Sequence, residues 1–235
     1  FNPVDRLPLV EVIRSDLTNT KYFEDAISFV RHIDKLPLPC RSVPGFVVNR
    51  VLAPYMLEAL YAYQEGYQLE TIDEAAIQFG MPTGPIELAD RVGLDIALNV
   101  TQILKDKLPN ANLELLIDKV KSGNLGVKTG KGFYTFDGGR PKKKKEYAKP
   151  GIELKERLVL ALVNEAMACF EDKVVEDLDL IDAGIVFGAG FAPFRGGPIQ
   201  YARERGVKSV IDQLNLFEEK LGIRFKPNEG WQKLI

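Results

Sequence analysis

Between residues 50 and 206 the sequence contains one pattern twice, and no other feature restricts its fold as much. The first copy reads RVLAPYMLEALYAYQEG over 50–66 and TIDEAAIQFGMPTGPIELADRVG over 71–93. The second reads RLVLALVNEAMACFEDK over 157–173 and LIDAGIVFGAGFAPFRGGPIQYARERG over 180–206. In this register Glu58 falls on Glu165, Asp73 on Asp182, Phe79-Gly80 on Phe187-Gly188, Gly84-Pro85 on Gly197-Pro198, and Gly93 on Gly206. Val48, Leu52, Tyr55, Met56, Ala59, Leu60 and Tyr63 recur at helical spacing, so the repeated unit is helical. Two such units are expected to pack on each other, each of a size that suits a small domain. Pro54 interrupts the first stripe and predicts a kink or a freed Arg50 carbonyl. Further helices are predicted at about 71–79, 86–108 and 112–121.

The first 43 residues follow a different pattern. PLVEVI over 8–13 reads as a strand, Thr18 to Asp34 as a helix, and the Pro-rich 36–43 as a short strand, which together resemble the edge of an α/β sheet. A unit of about 40 residues buries too little to fold alone. The resulting division is 1–43 as a strand-helix-strand remnant of an α/β unit, 44–140 as a first helical domain, 141–150 as a linker and 151–235 as a second helical domain. The fold class is mainly α, two tandem helical domains behind a short α/β piece.

Charge and composition exclude several kinds of chemistry. RPKKKKEYAK over 140–149 holds six positive charges and one negative, leaving a balance of −7 elsewhere. It reads as a solvated linker rather than a nucleic-acid patch, since aromatic interleaving is nearly absent. The longest purely apolar run, Leu158 to Val163, is far short of the roughly 20 residues that cross a bilayer. Cys40 and Cys169 have no partner at zinc or redox spacing and read as reduced, buried thiols, which favours a cytoplasmic location. With a single histidine, His32, in the chain, a zinc site or a Ser-His-Asp triad is not expected. His32 sits on a helical pattern with no carboxylate beside it and reads as a bystander. No metal is expected.

Two polar residues stand in unusual places. Glu11 lies between Leu9 and Ile13 on one strand face; it either turns to solvent at a sheet edge or is a buried carboxylate that needs a partner. Asn49 opens the first long helix in PGFVVNRV, where an amide either bonds local backbone or holds a substrate oxygen. Two glycine-rich stretches fail as nucleotide cradles. In GVKTGKGFY over 126–134 the spacing is one short of a phosphate loop and Gly132 stands where a hydroxyl residue is required. In Gly188-Ala189-Gly190 the third glycine position holds Pro193.

FNPVDRLPLVEVI, PGFVVNRVL, FGMPTGPIELADRVGLD and GVKTGKGFY, in this order, resemble the 3-hydroxyacyl-CoA dehydrogenase family. The second copy, with GFAPFRGGPIQYA, is similar to the multifunctional fatty-acid oxidation enzymes. The resemblance spans essentially the whole chain. It implies oxidation of an L-3-hydroxyacyl-CoA to a 3-ketoacyl-CoA with NAD as cofactor, an acyl-CoA as substrate and a thiolase subunit as partner. It implies Glu11 as the acidic partner of a catalytic His, Asn49 and Tyr201 as substrate contacts, and Asn2 and Lys128 as cofactor contacts. The family's His-Phe-Phe-Asn-Pro-Val motif places that His two positions before Phe1. On this reading the chain is a truncated piece that neither binds NAD tightly nor oxidises substrate. The second copy takes the place of a dimer partner, so a monomer is expected. Two other readings share these residues: a β-hydroxyacid dehydrogenase of another Rossmann-linked type, and a non-catalytic helical module that assembles an oxidation complex.

Overall fold

A computed structural model describes residues 7–108 and 113–235. Strand β1 (Leu9–Arg14) pairs in parallel with β2 (Leu36–Arg41), Leu9 opposite Leu36 and Arg14 opposite Arg41. Helix α1 (Thr20–His32) is the crossover between them, and the Asn19 side chain caps its start by accepting from the Lys21 amide. Leu9 and Val12 point to opposite faces of this pair and both are buried, so it is covered on both sides.

The rest is helical: α2 (Val48–Gln64), α3 (Leu69–Phe79), α4 (Pro85–Val92), α5 (Leu94–Ile103) and α6 (Glu114–Lys121). After two short strands, β3 (Phe136–Asp137) and β4 (Arg140–Pro141), come α7 (Ile152–Glu171), α8 (Leu178–Ala189), α9 (Pro198–Arg205) and α10 (Val207–Leu221). Helix α2 continues through Pro54. The single helix predicted over 86–108 is two, because Gly93 adopts φ 105°, outside helical space, and turns the chain between α4 and α5. Gly206, at φ 93°, makes the same turn between α9 and α10.

The repeat is therefore physical: α2 to α5 are followed in the same order by α7 to α10. Within each copy a buried aspartate caps the third helix. Asp73 Oδ1 accepts from the Ile86 amide at 2.9 Å, and the Asp182 carboxylate accepts from the amides of Ile199 at 2.7 Å and Gln200 at 3.0 Å. A side chain at Gly84 or Gly197 would collide with that aspartate, which explains why both copies have Gly-Pro at this point.

The copies meet along α2 and α7. Arg50 on α2 donates to Glu165 on α7 at 2.6 Å and to Asp172 at 2.8 Å; Arg157 on α7 donates through Nε to Glu58 on α2 at 2.8 Å and through Nη1 to Glu65 at 2.7 Å. Arg50 and Arg157, Glu58 and Glu165, and Glu65 and Asp172 are equivalent in the repeat register. Each arginine thus reaches the carboxylates that its counterpart owns, the arrangement that a twofold axis imposes on an interface.

The basic segment is laced to the first copy rather than fully solvated. Lys143 reaches Asp73 at 3.1 Å and Glu87 at 2.8 Å, the Lys144 amide donates to Glu70, and the Ala148 carbonyl accepts from Thr71. Asp73 lies fully inside; burial pushes its carboxyl up, and Lys143 and the Tyr134 hydroxyl pull it back. Charge composition reads this run as surface because the buried partner that recruits Lys143 comes from another element.

Candidate active site

The site is built where the parallel strands meet the start of α2. The chain enters this helix through Gly45 (φ 75°) and Phe46 (φ 47°), and the cap position is held by Val47, which has no polar atom to satisfy the first free amides. Glu11 does so from the middle of β1. Its Oε1 accepts from the Val47 amide at 2.8 Å and the Val48 amide at 3.1 Å. Its Oε2 takes no hydrogen bond among the described residues. Burial raises the carboxyl's pKa and the two amides oppose that shift. Of the two readings open to Glu11, the structure has the inward-turned carboxylate.

The second copy covers this face of the strands. Helix α8 approaches so closely that a Cβ at Gly188 would stand 2.7 Å from both Leu9 and Val48, and one at Gly184 would stand 2.7 Å from Leu38. Leu9 shares its strand face with Glu11, so α8 lies over the same surface. Cys40, on β2, is buried nearby; burial first, and the Glu11 charge second, push its thiol up to about 12. Burial likewise raises the Cys169 thiol, and both cysteines are free. Neither is a nucleophile near neutral pH.

Asn49 follows Val48 directly, so the structure brings it to the same helix start as the Glu11 carboxylate. Its side chain is exposed and makes no hydrogen bond among the described residues, which sets aside the local-backbone role. Lys128 stands apart, on a 3-10 turn at Val127–Thr129, with its half-exposed ammonium paired to Asp95 at the start of α5. Tyr201 is on α9, its ring edge-on to Phe79 at 5.1 Å and its hydroxyl accepting from Arg205 at 3.3 Å. Among the described residues no hydrogen bond or ion pair joins Lys128 or Tyr201 to Glu11. Asn2 lies outside the described residues. His32 is exposed in the last turn of α1.

Two features escape sequence reasoning. The Val47 and Val48 amides are part of the site, and the only hint of them is a helix start without a polar cap. GVKTGKGFY turns out to cradle a carboxylate of its own chain: Asp90 accepts from the Phe133 amide at 2.9 Å and the Tyr134 amide at 2.8 Å, with Gly126 and Gly132 pressed against it. Its glycines are there for that close approach. Among the described residues no cluster of His, Cys, Asp and Glu is placed to hold a metal, and no helix is long and apolar enough to cross a membrane.

Sequence profiles place the chain in a family. The 3-hydroxyacyl-CoA dehydrogenase C-terminal domain matches residues 45–136, and the NAD binding domain of 3-hydroxyacyl-CoA dehydrogenase matches residues 1–43, together more than half of the chain. The chain belongs to the 3-hydroxyacyl-CoA dehydrogenase family. The fatty acid oxidation complex subunit alpha of Vibrio campbellii is 37% identical over 250 residues, covering 98% of this chain and 34% of its own length. The chain thus spans about a third of that curated relative. Among solved structures, 3-hydroxybutyryl-CoA dehydrogenase from Escherichia coli K12 superposes with a TM-score of 0.80 at 22% identity, over 100% of this chain and 68% of that one. The dehydrogenase part of multifunctional enzyme 1 from C. elegans does so at 0.69 and 24%, over 99% and 57%. At those identities the two structures establish a dehydrogenase fold.

Proposed function

We propose that the longer protein carrying this chain is an NAD-dependent L-3-hydroxyacyl-CoA dehydrogenase of fatty-acid β-oxidation, which oxidises a 3-hydroxyacyl-CoA to the 3-ketoacyl-CoA. One observation carries the reading: Glu11 has one oxygen fixed by the Val47 and Val48 amides and the other without a hydrogen bond among the described residues, and the exposed Asn49 amide follows Val48 directly. Taking the hydroxyl proton while hydride leaves carbon requires a base whose conjugate acid titrates near neutral pH. An imidazole donating its N–H to Glu11 Oε2 would be locked in one tautomer and made more basic by the adjacent negative charge. That imidazole belongs to the His that the family motif places upstream of Phe1. The two amides prevent Glu11 from rotating away, and Asn49 holds the oxygen that turns from hydroxyl to carbonyl.

The residues present fit the cofactor at the edge of its fold. A parallel strand pair joined by a crossover helix and buried on both faces is the unit from which doubly covered dinucleotide-binding sheets are built. NAD, when bound, supplies the hydride acceptor. Lys128, with Asn2, would hold it. Lys128 presents its ammonium at the surface, where exchange of Asp95 for a ligand anion requires no reburial. Tyr201 would contact substrate from the second copy. The alpha-subunit relative supports assembly of the longer protein into an oxidation complex, with a thiolase subunit as the proposed partner.

The test is NADH formation by the longer protein with an L-3-hydroxyacyl-CoA, alone and with Asn49→Ala. The reading requires turnover by the parent and a loss of ~10²-fold or more in kcat/KM for the variant. A parent that reduces no NAD with any acyl length contradicts it and leaves the non-catalytic assembly module as the better description.

A further inference from the structure

One aromatic pair shared by the two copies has different surroundings in each, Phe79 in the first and Phe187 in the second. Phe79 ends α3 and is 7% exposed. Its ring is edge-on to Phe191 at 5.4 Å and Tyr201 at 5.1 Å, and the Arg195 guanidinium lies 4.1 Å from its centre. Its counterpart Phe187, in α8, is 43% exposed. The cause is loop length. Eight residues separate Gly188 from Gly197, and they include the Phe191 and Arg195 that cover Phe79; three residues separate Gly80 from Gly84, and they supply no such cover for Phe187.

The uncovered ring is carried by the helix that packs against the candidate site. Phe187 precedes Gly188, and Gly188 lies against Leu9 and Val48, the first on the Glu11 face of β1 and the second next to Asn49. Exposed Pro82 packs on Gly190, three residues on from Phe187 at the end of α8. The proposed substrate class has the complementary shape: a polar reacting centre for Glu11 and Asn49, and behind it an alkyl chain that gains by leaving water. We infer that Phe187, with Pro82 behind it, contacts the acyl chain of the substrate and sets the preference for chain length. The inference rests on the dehydrogenase reading above. It makes the second copy a contributor to specificity as well as a partner in the interface.

The experiment compares the longer protein with its Phe187→Ala and Phe187→Leu variants on L-3-hydroxybutyryl-CoA and L-3-hydroxyhexadecanoyl-CoA. Phe187→Ala should lower kcat/KM for the long substrate ~10-fold or more. It should leave the short one within about twofold, and Phe187→Leu should recover most of the loss. Equal losses on both substrates, or no loss on either, would overturn the assignment while leaving the dehydrogenase reading in place. A parent inactive on both substrates would remove both.

Discussion

The Val47 amide donates to the Glu11 carboxylate at 2.8 Å, across 36 positions of sequence. The bond gives α2 the cap that its own sequence lacks, and it fixes one carboxylate oxygen so that the other has a defined direction. A strand of the α/β piece and the first helix of the repeat are thereby joined at the point where the chemistry is proposed.

Glu11 then has two separable duties. Glu11→Ala removes the acceptor for both amides and should destabilise the fold by about 1–3 kcal/mol. Glu11→Gln keeps an acceptor oxygen and should cost less than about 1 kcal/mol. Urea unfolding followed by circular dichroism measures both; equal losses would mean that the amides do not depend on Glu11.

The reciprocal arginines differ in burial, and their variants should differ accordingly. Arg157 and Glu58 are 2% and 1% exposed at their side chains, whereas Arg50 meets Glu165 at 16% and Asp172 at 42%. Arg157→Ala should cost about 3–5 kcal/mol by leaving Glu58 underpaired in the interior, and Arg50→Ala should cost less. Replacing Arg157 and Glu58 together by Met and Leu should restore much of the stability, because neither charge of this pair is then left buried without the other. Denaturation midpoints of the three variants decide this ordering.

Asp182 should impose a pH dependence. Burial raises its carboxyl to about 6, against the pull of the Ile199 and Gln200 amides. A folded pKa above the unfolded one means that the native state holds its proton longer. The stability from this group is therefore full below about pH 4 and is lost as pH rises to about 6. Relative to Asp182→Asn, the parent should lose roughly 3 kcal/mol between pH 4 and pH 7. A difference between the two that stays constant over that range would show that Asp182 titrates normally.

With both halves of the pseudo-twofold interface in one chain, the polypeptide is predicted to be monomeric. Light scattering at micromolar concentration checks this, and a stable dimer would show that α2 and α7 leave a second adhesive face.

Much of this arrangement is legible in the residues themselves. The repeat is, because Asp73 with Gly84-Pro85 and Asp182 with Gly197-Pro198 preserve a cap whose steric demands admit few alternatives. The strand-helix-strand opening is legible from periodicity. Glu11 stands out as a carboxylate among aliphatic neighbours, and the family resemblance gives it a role. Its amide partners are not legible, since nothing local in β1 names the helix that it will cap. The break at Gly93 is hidden because the apolar periodicity runs through 86–108, and only the φ of that glycine separates α4 from α5. The seating of the basic segment is hidden because Lys143 answers to Asp73, seventy residues away. Lys128 and Tyr201 remain where contacts alone do not connect them to Glu11, and their roles rest on resemblance.

The central claim is that Glu11 acts through the base of a dehydrogenase, and the pH-rate profile of Glu11→Gln in the longer protein tests it most directly. The substitution keeps the helix cap and removes the charge. The account predicts an unchanged circular dichroism spectrum, a fall of ~10²-fold or more in kcat for L-3-hydroxyacyl-CoA oxidation, and a lower apparent pKa for the base. Full turnover with an unshifted profile would contradict it.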